Sequence, residues 1–456
     1  MTAHPTPFPP LRGIVPPYLL RHLAQTDEPQ ASAALDTLTR DQRQRRYRAT
    51  KRPRTVRPLL AAPEAVSRLI SNADNVERLP GKRVREEGQP ATGDAAVDEA
   101  YDGFGSTWAL FHDVYGRNSI DGVGERLLGT VHYGQGYQNA FWNGTRMVFG
   151  DGDGEIFGRF TASLDVIGHE LTHGVVEHTA ALVYSGQSGA LNESVADVFG
   201  VLVTQYQRRQ PVAEADWLVG GDLLLPGVTG VGLRNMLHPG TAYDDPRLGK
   251  DPQPASMADY VQTTSDNGGV HYNSGIPNRA FALTATTLGG FAWERAGQIW
   301  YDVLTGGKIT ADCSFAAFAA LTIAAAVRRY GKDSGDARAV ADAWRAVGVE
   351  PGAARGSKAP GKVDPQLALG VERSGGITGR TASRQATLAE LPSSERRAWQ
   401  GLLTGDTLPK LAAGSPSHPD TFVYQVSCAG EVYEVPELSL PDRLKKLLDR
   451  FLGGDS

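Results

Sequence analysis

The chain runs Leu164-Asp165-Val166-Ile167-Gly168-His169-Glu170-Leu171-Thr172-His173 and, after a Gly186-Gln187-Ser188-Gly189 break, Ala190-Leu191-Asn192-Glu193-Ser194-Val195-Ala196-Asp197. On a helix, imidazoles four residues apart lie one above the other. His169 and His173 can then reach one metal ion, with Glu170 beside the open coordination position. Leu164, Val166, Leu171 and Val175 supply the apolar spacing of that helix. A catalytic zinc takes three protein ligands and keeps a position for water. A third ligand close by in sequence would need a Gly at 176 and a His at 179, but Val176 and Thr179 stand there. Glu193, twenty residues after His173 on the next helix, is the ligand the sequence offers instead. Asp197 shares its face and is expected to accept the outer N–H of a ligating imidazole, with Asn192 as a second outer partner.

Zinc held by two neutral imidazoles and one carboxylate stays net positive and brings the pKa of a water there towards about 7. Glu170 is placed to take that proton as the water attacks an amide carbonyl. The oxyanion that forms needs further donors. Asp266-Asn267-Gly268-Gly269-Val270-His271 offers an imidazolium held by a carboxylate across a glycine turn, and Tyr184 a phenolic O–H. Alone, His271 and Tyr184 would read as structural; beside the metal motif they read as site residues.

The whole chain has 456 residues, with 46 Lys+Arg against 51 Asp+Glu and a net charge of −5. This is too long for one ordinary domain, and a mildly acidic chain attracts neither nucleic acid nor an anionic membrane surface. The longest apolar run, Phe315 to Val327, falls short of the roughly 20 residues that cross a bilayer. Two distant cysteines, Cys313 and Cys428, exclude a disulfide framework and a CxxC metal site. Met1 to Pro10 lacks the basic-then-apolar pattern of a secretory leader, so a cytoplasmic location or a leaderless route out is expected.

Four segments are expected. Residues 1–57 carry a short helix that begins at Pro16-Pro17 and runs to about Ala24. A basic stretch from Arg40 to Arg57 follows, read as a solvated linker kept extended by its like charges. Residues 58–350 combine a Gly-, Tyr- and Trp-rich part with strands near Gly129–Tyr133 and Arg146–Phe149 and a part with helical periodicity from 161 on. They are expected to form a mainly antiparallel β lobe and a helical lobe. Residues 351–365 form a Gly/Ala/Lys/Pro linker. Residues 366–456 form a small α+β module with strands at 367–371, 421–428 and 431–435 and helices at 392–403 and 441–452. In the last helix Leu440, Leu444, Leu447, Leu448 and Phe451 share a face.

The metal motif, Asn139-Ala140-Phe141-Trp142-Asn143-Gly144 and Asp266 to His271 with Asn273-Ser274-Gly275 resemble the thermolysin family of zinc endopeptidases, in order through residues 98–350. The short N-terminus with Pro16-Pro17-Tyr18-Leu19-Leu20 is similar to the protealysin-like branch. The resemblance implies a two-lobed zincin fold with a cleft between the lobes and one catalytic zinc. It also implies that Asn139 and Ala140 bind substrate backbone and that Arg234 contacts the carbonyl after the cut. Phe157, Phe160, Val166 and Leu233 would then form the pocket for a bulky apolar residue following the cut. Family calcium ligands are matched by Asp165 and Asp216, but Thr204, Leu218 and Gly221 replace further acids. A double calcium site is therefore not expected, and a single weaker one is left open. The N-terminus resembles a propeptide that inhibits until cleaved. The C-terminal module, with Val371-Glu372-Arg373-Ser374-Gly375-Gly376 and Leu391-Pro392-Ser393-Ser394-Glu395-Arg396, resembles emfourin inhibitors. The expected partners are protein and peptide substrates, together with the chain's own propeptide and C-terminal module in or near the cleft. The competing reading is a catalytically silent zincin-fold binding protein held closed by that module, which Glu170 and His271 argue against.

Overall fold

The computed structural model describes residues 12–26, 30–49, 64–352, 367–375, 381–392, 422–428, 431–437 and 442–453, with isolated positions between the later segments. They divide into two compact units. One comprises Arg12–Val261 together with Val270–Gly352, and the other Gln262–Gly269 with the residues from Leu367 onward.

The larger unit begins with β1 (Arg12–Gly13), α1 (Pro17–Ala24) and α2 (Ala31–Ala49). Proline at the first turn of α1 follows the sequence expectation. Helix α2 corrects it, because much of the basic stretch read as an extended linker is helical. Ala34, Thr37 and Asp41 repeat at helical spacing and are buried, while Arg40 and Arg43 reach the carboxylate of Glu77 at 2.9 and 3.4 Å. A charge run extends a chain only when its charges find no partners.

Strands β2 (Arg68–Asn72), β3 (Lys82–Glu86), β4 (Leu127–Val131), β5 (Ala140–Trp142) and β6 (Met147–Phe149) join β1 in a six-stranded sheet ordered β1-β5-β6-β4-β2-β3. Three of its five pairings are antiparallel, and the two that flank β4 are parallel. A parallel neighbour needs a crossover, and α3 (Ala95–Ala109) supplies it between β3 and β4. Asp94 caps α3 by accepting the amides of Ala96 and Val97. Sequence reading missed this helix because Gly103 and Gly105 interrupt it, although Ala96, Val97, Ala100, Tyr101 and Phe104 keep its buried face. At Gly103 a Cβ would stand 2.4 Å from Ile167 Cδ1 on the next helix, so the glycine lets that side chain pack against α3.

The helical part consists of α4 (Leu164–Glu177), α5 (Gly186–Arg208), α6 (Asp266–Asn273), α7 (Gly275–Leu288), α8 (Ala296–Thr305), α9 (Phe315–Tyr330) and α10 (Gly335–Ala346), with the two-residue strands β7 (Leu218–Val219), β8 (Arg234–Asn235), β9 (Asp244–Asp245) and β10 (Gly249–Lys250) between α5 and α6. The 315–327 run is a helix with Phe315, Ala317, Phe318 and Ala319 buried. Among the described residues no helix is long and apolar enough to cross a membrane.

In the smaller unit β11 (Ala368–Gly375), β12 (Ala382–Thr387), β13 (Phe422–Cys428) and β14 (Glu431–Pro436) form an antiparallel sheet ordered β12-β11-β13-β14. Its buried side chains Val371, Tyr424 and Val426 form one core with Trp399 and with Leu447, Leu448 and Phe451 of α11 (Asp442–Phe451). Edge strand β12 was not anticipated because Ser383, Arg384 and Gln385 hide its alternation. Half of the helix expected at 392–403 lies outside the described residues; of the rest, Glu395, Arg396, Ala398, Trp399 and Leu402 are helical. Cys313 and Cys428 are both buried.

Candidate metal centre and active site

The site begins with two glycines. At Gly200 on α5 a Cβ would lie 2.4 Å from the Asp165 carbonyl oxygen and 2.9 Å from the His169 amide; at Gly168 on α4 one would lie 3.0 Å from Gly200 Cα. With no side chain at either position the two helix backbones touch, which brings Glu193, two turns before Gly200, opposite His169 and His173. One ligating atom from each of these buried residues lies within 4.8 Å of the others. Glu193 stands 3.5 Å from His169 Nε2 and 3.4 Å from His173 Nε2. Tetrahedral ligands about 2.1 Å from a zinc ion are roughly 3.4 Å apart, so the spacing fits the ion. The donors fit as well. His169 Nε2 and Glu193 Oε2 are buried without hydrogen-bond partners among the described residues, a cost that a cation there would offset.

The outer nitrogens are held as zinc ligation requires. His169 Nδ1 lies 2.8 Å from Asp197 Oδ1 and His173 Nδ1 2.9 Å from Asn192 Oδ1, leaving both Nε2 atoms facing the centre. Asp197 also accepts Arg234 Nε at 2.8 Å, Arg234 Nη2 at 2.7 Å and Asn278 Nδ2 at 2.8 Å. Burial alone would raise the Asp197 carboxyl, but Arg234 and His169 overcome it and hold the group well below the usual carboxylate range. The same pairing raises Arg234 despite its burial. Asn278, eighty-one residues beyond Asp197, was given no role from sequence, because nothing local marks it as a partner of the metal helices.

Glu170 is wholly buried. Its Oε2 accepts the Trp142 amide at 2.8 Å, and Oε1 has no hydrogen-bond partner among the described residues. Burial, then the charge of Glu193, raises its carboxyl well above the ordinary range; a divalent cation opposes that rise. Tyr184 donates its hydroxyl to Glu193 Oε1 and lies 3.3 Å from His271 Nε2. His271 Nε2 is in turn 3.5 Å from Glu193 Oε2, and Gln253 donates to the His271 carbonyl at 2.7 Å. His271 and Tyr184 are thus brought to the metal ligands. Asp266, Asn267, Gly268 and Gly269 carry φ of 53, 52, 82 and 78° where the chain enters α6, a left-handed run that Asp, Asn and Gly tolerate best.

The residues expected to hold substrate surround this centre. The N-terminal chain lies along β5: the Ile14 amide donates to Ala140 O at 3.2 Å and the Val15 amide to Asn139 Oδ1 at 3.0 Å. The Ile14 carbonyl accepts Arg234 Nη1 at 3.0 Å. Asp41, on α2, accepts Asn139 Nδ2 at 3.0 Å. Phe157, Phe160, Val166 and Leu233 are fully buried in the apolar cluster that also contains Ile14 and Val15. Asp165 accepts from Ser163 Oγ and the Gly220 amide, and Asp216 from the Leu218 amide. Neither belongs to a group of three ligating side chains among the described residues.

A buried carboxylate beside two histidines and a glutamate, set where a sheet lobe meets helices, defines a zinc metallopeptidase. Sequence models agree: residues 30–177 match the thermolysin metallopeptidase catalytic domain, 180–349 its alpha-helical domain, and 371–452 emfourin. An extracellular metalloprotease of Pectobacterium carotovorum subsp. carotovorum is 51% identical over 342 residues, which are 75% of this chain and 97% of that protein. A thermolysin of Alicyclobacillus acidocaldarius subsp. acidocaldarius is 41% identical over 57% of this chain and 46% of its own length. The structure of the protealysin precursor from Serratia proteamaculans superposes with a TM-score of 0.67 at 53% identity, over 74% of this chain and 99% of that one. The chain belongs to the thermolysin family, in its protealysin-like branch. It is a zinc-dependent endopeptidase with a propeptide and an emfourin module.

Proposed function

We propose the following roles within that activity. Zinc bound by His169, His173 and Glu193 supplies Lewis acidity. Glu170 is the general base that takes the proton of the attacking water and passes it to the leaving nitrogen. His271, oriented by Asp266, and Tyr184 donate to the oxyanion, while Asp197 and Asn192 orient the ligating imidazoles. Asn139, Ala140 and Arg234 grip substrate backbone, and Phe157, Phe160, Val166 and Leu233 receive an apolar side chain after the cut. The observation that carries the reading is the buried Oε1 of Glu170, without a hydrogen-bond partner among the described residues, on the helix that supplies two of three converging ligand atoms. A silent binding protein has no use for such a group, whose burial costs stability.

The segment 1–57 is proposed as an inhibitory propeptide, supported by Ile14 and Val15 filling the hydrogen bonds that substrate backbone would take. The module from 366 on is proposed as a second regulator, supported by its emfourin match. Action outside the cell is proposed from the extracellular relative.

The deciding experiment is Glu170→Gln, with zinc content and peptide hydrolysis measured after propeptide removal. Loss of a general base costs roughly 10²–10⁴ in rate. Full zinc with no hydrolysis is expected; hydrolysis at the wild-type rate refutes the assignment.

A further inference from the structure

We infer that the chain presents its own Gly13–Ile14 peptide bond to the catalytic groups in the direction of a substrate, cuts it, and remains latent afterwards. This rests on the reading of Glu170 as the general base. In amide hydrolysis the leaving nitrogen must receive the proton that the base removes from water, so the nitrogen beside the base marks the bond at risk. Gly13 pairs with Phe141 on β5, and the next residue of that strand, Trp142, donates its amide to Glu170 Oε2 at 2.8 Å, so the bond and the base meet at the same strand. The hydrogen bonds on either side fix the register: Ile14 N–H to Ala140 O, Ile14 C=O from Arg234, Val15 N–H to Asn139 Oδ1.

Gly13 fits this register because of its missing side chain. A Cβ there would stand 2.8 Å from Asn139 Nδ2 and 3.2 Å from its Cγ, displacing the side chain that holds Val15. On reaction, water adds to the Gly13 carbonyl carbon and the C–N bond to Ile14 breaks. Glu170 delivers the proton to the nitrogen, leaving a Gly13 carboxyl group and an Ile14 amine. Everything after the bond keeps its contacts. Ile14, Val15, Leu19, Leu20 and Leu23 are buried and Asp41 still holds Asn139, while the new ammonium lies beside Glu170. Cutting here therefore trims the chain without opening the cleft, and release needs a second cut further along.

The test follows intact mass and N-terminal sequence of the full zinc-loaded chain. Loss of residues 1–13, at a rate independent of protein concentration and without gain of activity on an added peptide, is expected. Glu170→Gln and Gly13→Val should keep the full length. A readout independent of turnover is amide hydrogen exchange in the metal-free protein: Ile14 and Val15 protected in the wild type, and exchanging at least tenfold faster in Gly13→Val. The inference is overturned if residues 1–13 persist, or a different bond is cut, while the same preparation hydrolyses peptide once trypsin has cut within 40–57. If no peptide hydrolysis follows trypsin either, the reading of Glu170 itself has failed.

Discussion

Replacing Gly200 by alanine tests whether backbone contact between α4 and α5 builds the metal centre. The new Cβ would sit 2.4 Å from Asp165 O and 2.9 Å from His169 N, against an ordinary contact near 3.4 Å. Both neighbours are backbone, so neither can swing aside, and relief requires the helices to part by about 1 Å. Overpacking of this kind costs about 1–3 kcal/mol. Zinc–ligand distances tolerate only ~0.2 Å, so moving Glu193 away from His169 and His173 by several times that should weaken zinc binding at least 10–100-fold. The assay is competition with a chromophoric chelator, with circular dichroism to check that the chain stays folded. Gly335→Ala, where a Cβ meets nothing within 4 Å, is the control and should stay within about 0.5 kcal/mol of wild type. Wild-type zinc affinity in Gly200→Ala would refute the argument.

Asp197→Asn leaves the buried Arg234 charge uncompensated; it should cost about 3–5 kcal/mol in denaturant unfolding and loosen zinc through His169. His132 lies between Asp151 at 2.8 Å and Asp94 at 3.0 Å, and the bond to Asp151 together with both charges outweighs burial to raise its pKa to about 9. Its folded pKa exceeds the unfolded 6.5, so its contribution is complete below pH 6.5 and disappears as pH rises through 9. After screening of this partly exposed group it amounts to about 1–2 kcal/mol, and His132→Asn, which tolerates the left-handed φ of 52°, should flatten the slope of stability against pH over that window. Deleting 363–456 should raise casein hydrolysis if the module inhibits; a fall would show a substrate-binding role. Phe451→Ala empties the centre of the small unit's core and should cost that unit about 3–5 kcal/mol by thermal unfolding.

The metal ligands, Glu170 between them in sequence and the flanking helices were legible because helical periodicity converts spacing four apart into proximity, a local rule. Helix α1 and the apolar face of α11 were legible for the same reason. Helix α2 was misjudged because its stability comes from Glu77 and from a buried Asp41 bound to Asn139, ninety-eight residues away. Strand β12 was missed because an edge strand needs little apolar alternation once β11 pairs with it.

By itself, then, the sequence determined which groups can do chemistry here: two imidazoles, a ligating glutamate and the carboxylate proposed as base, set by spacing within and between successive helices. Only the tertiary structure decided what those groups face. Asp197 serves His169, Arg234 and Asn278 together, and the Ile14 and Val15 backbone occupies the hydrogen bonds of Asn139, Ala140 and Arg234. Such pairings join residues tens to hundreds of positions apart. They come from burial of unlike segments against one another, which no local period in the chain encodes.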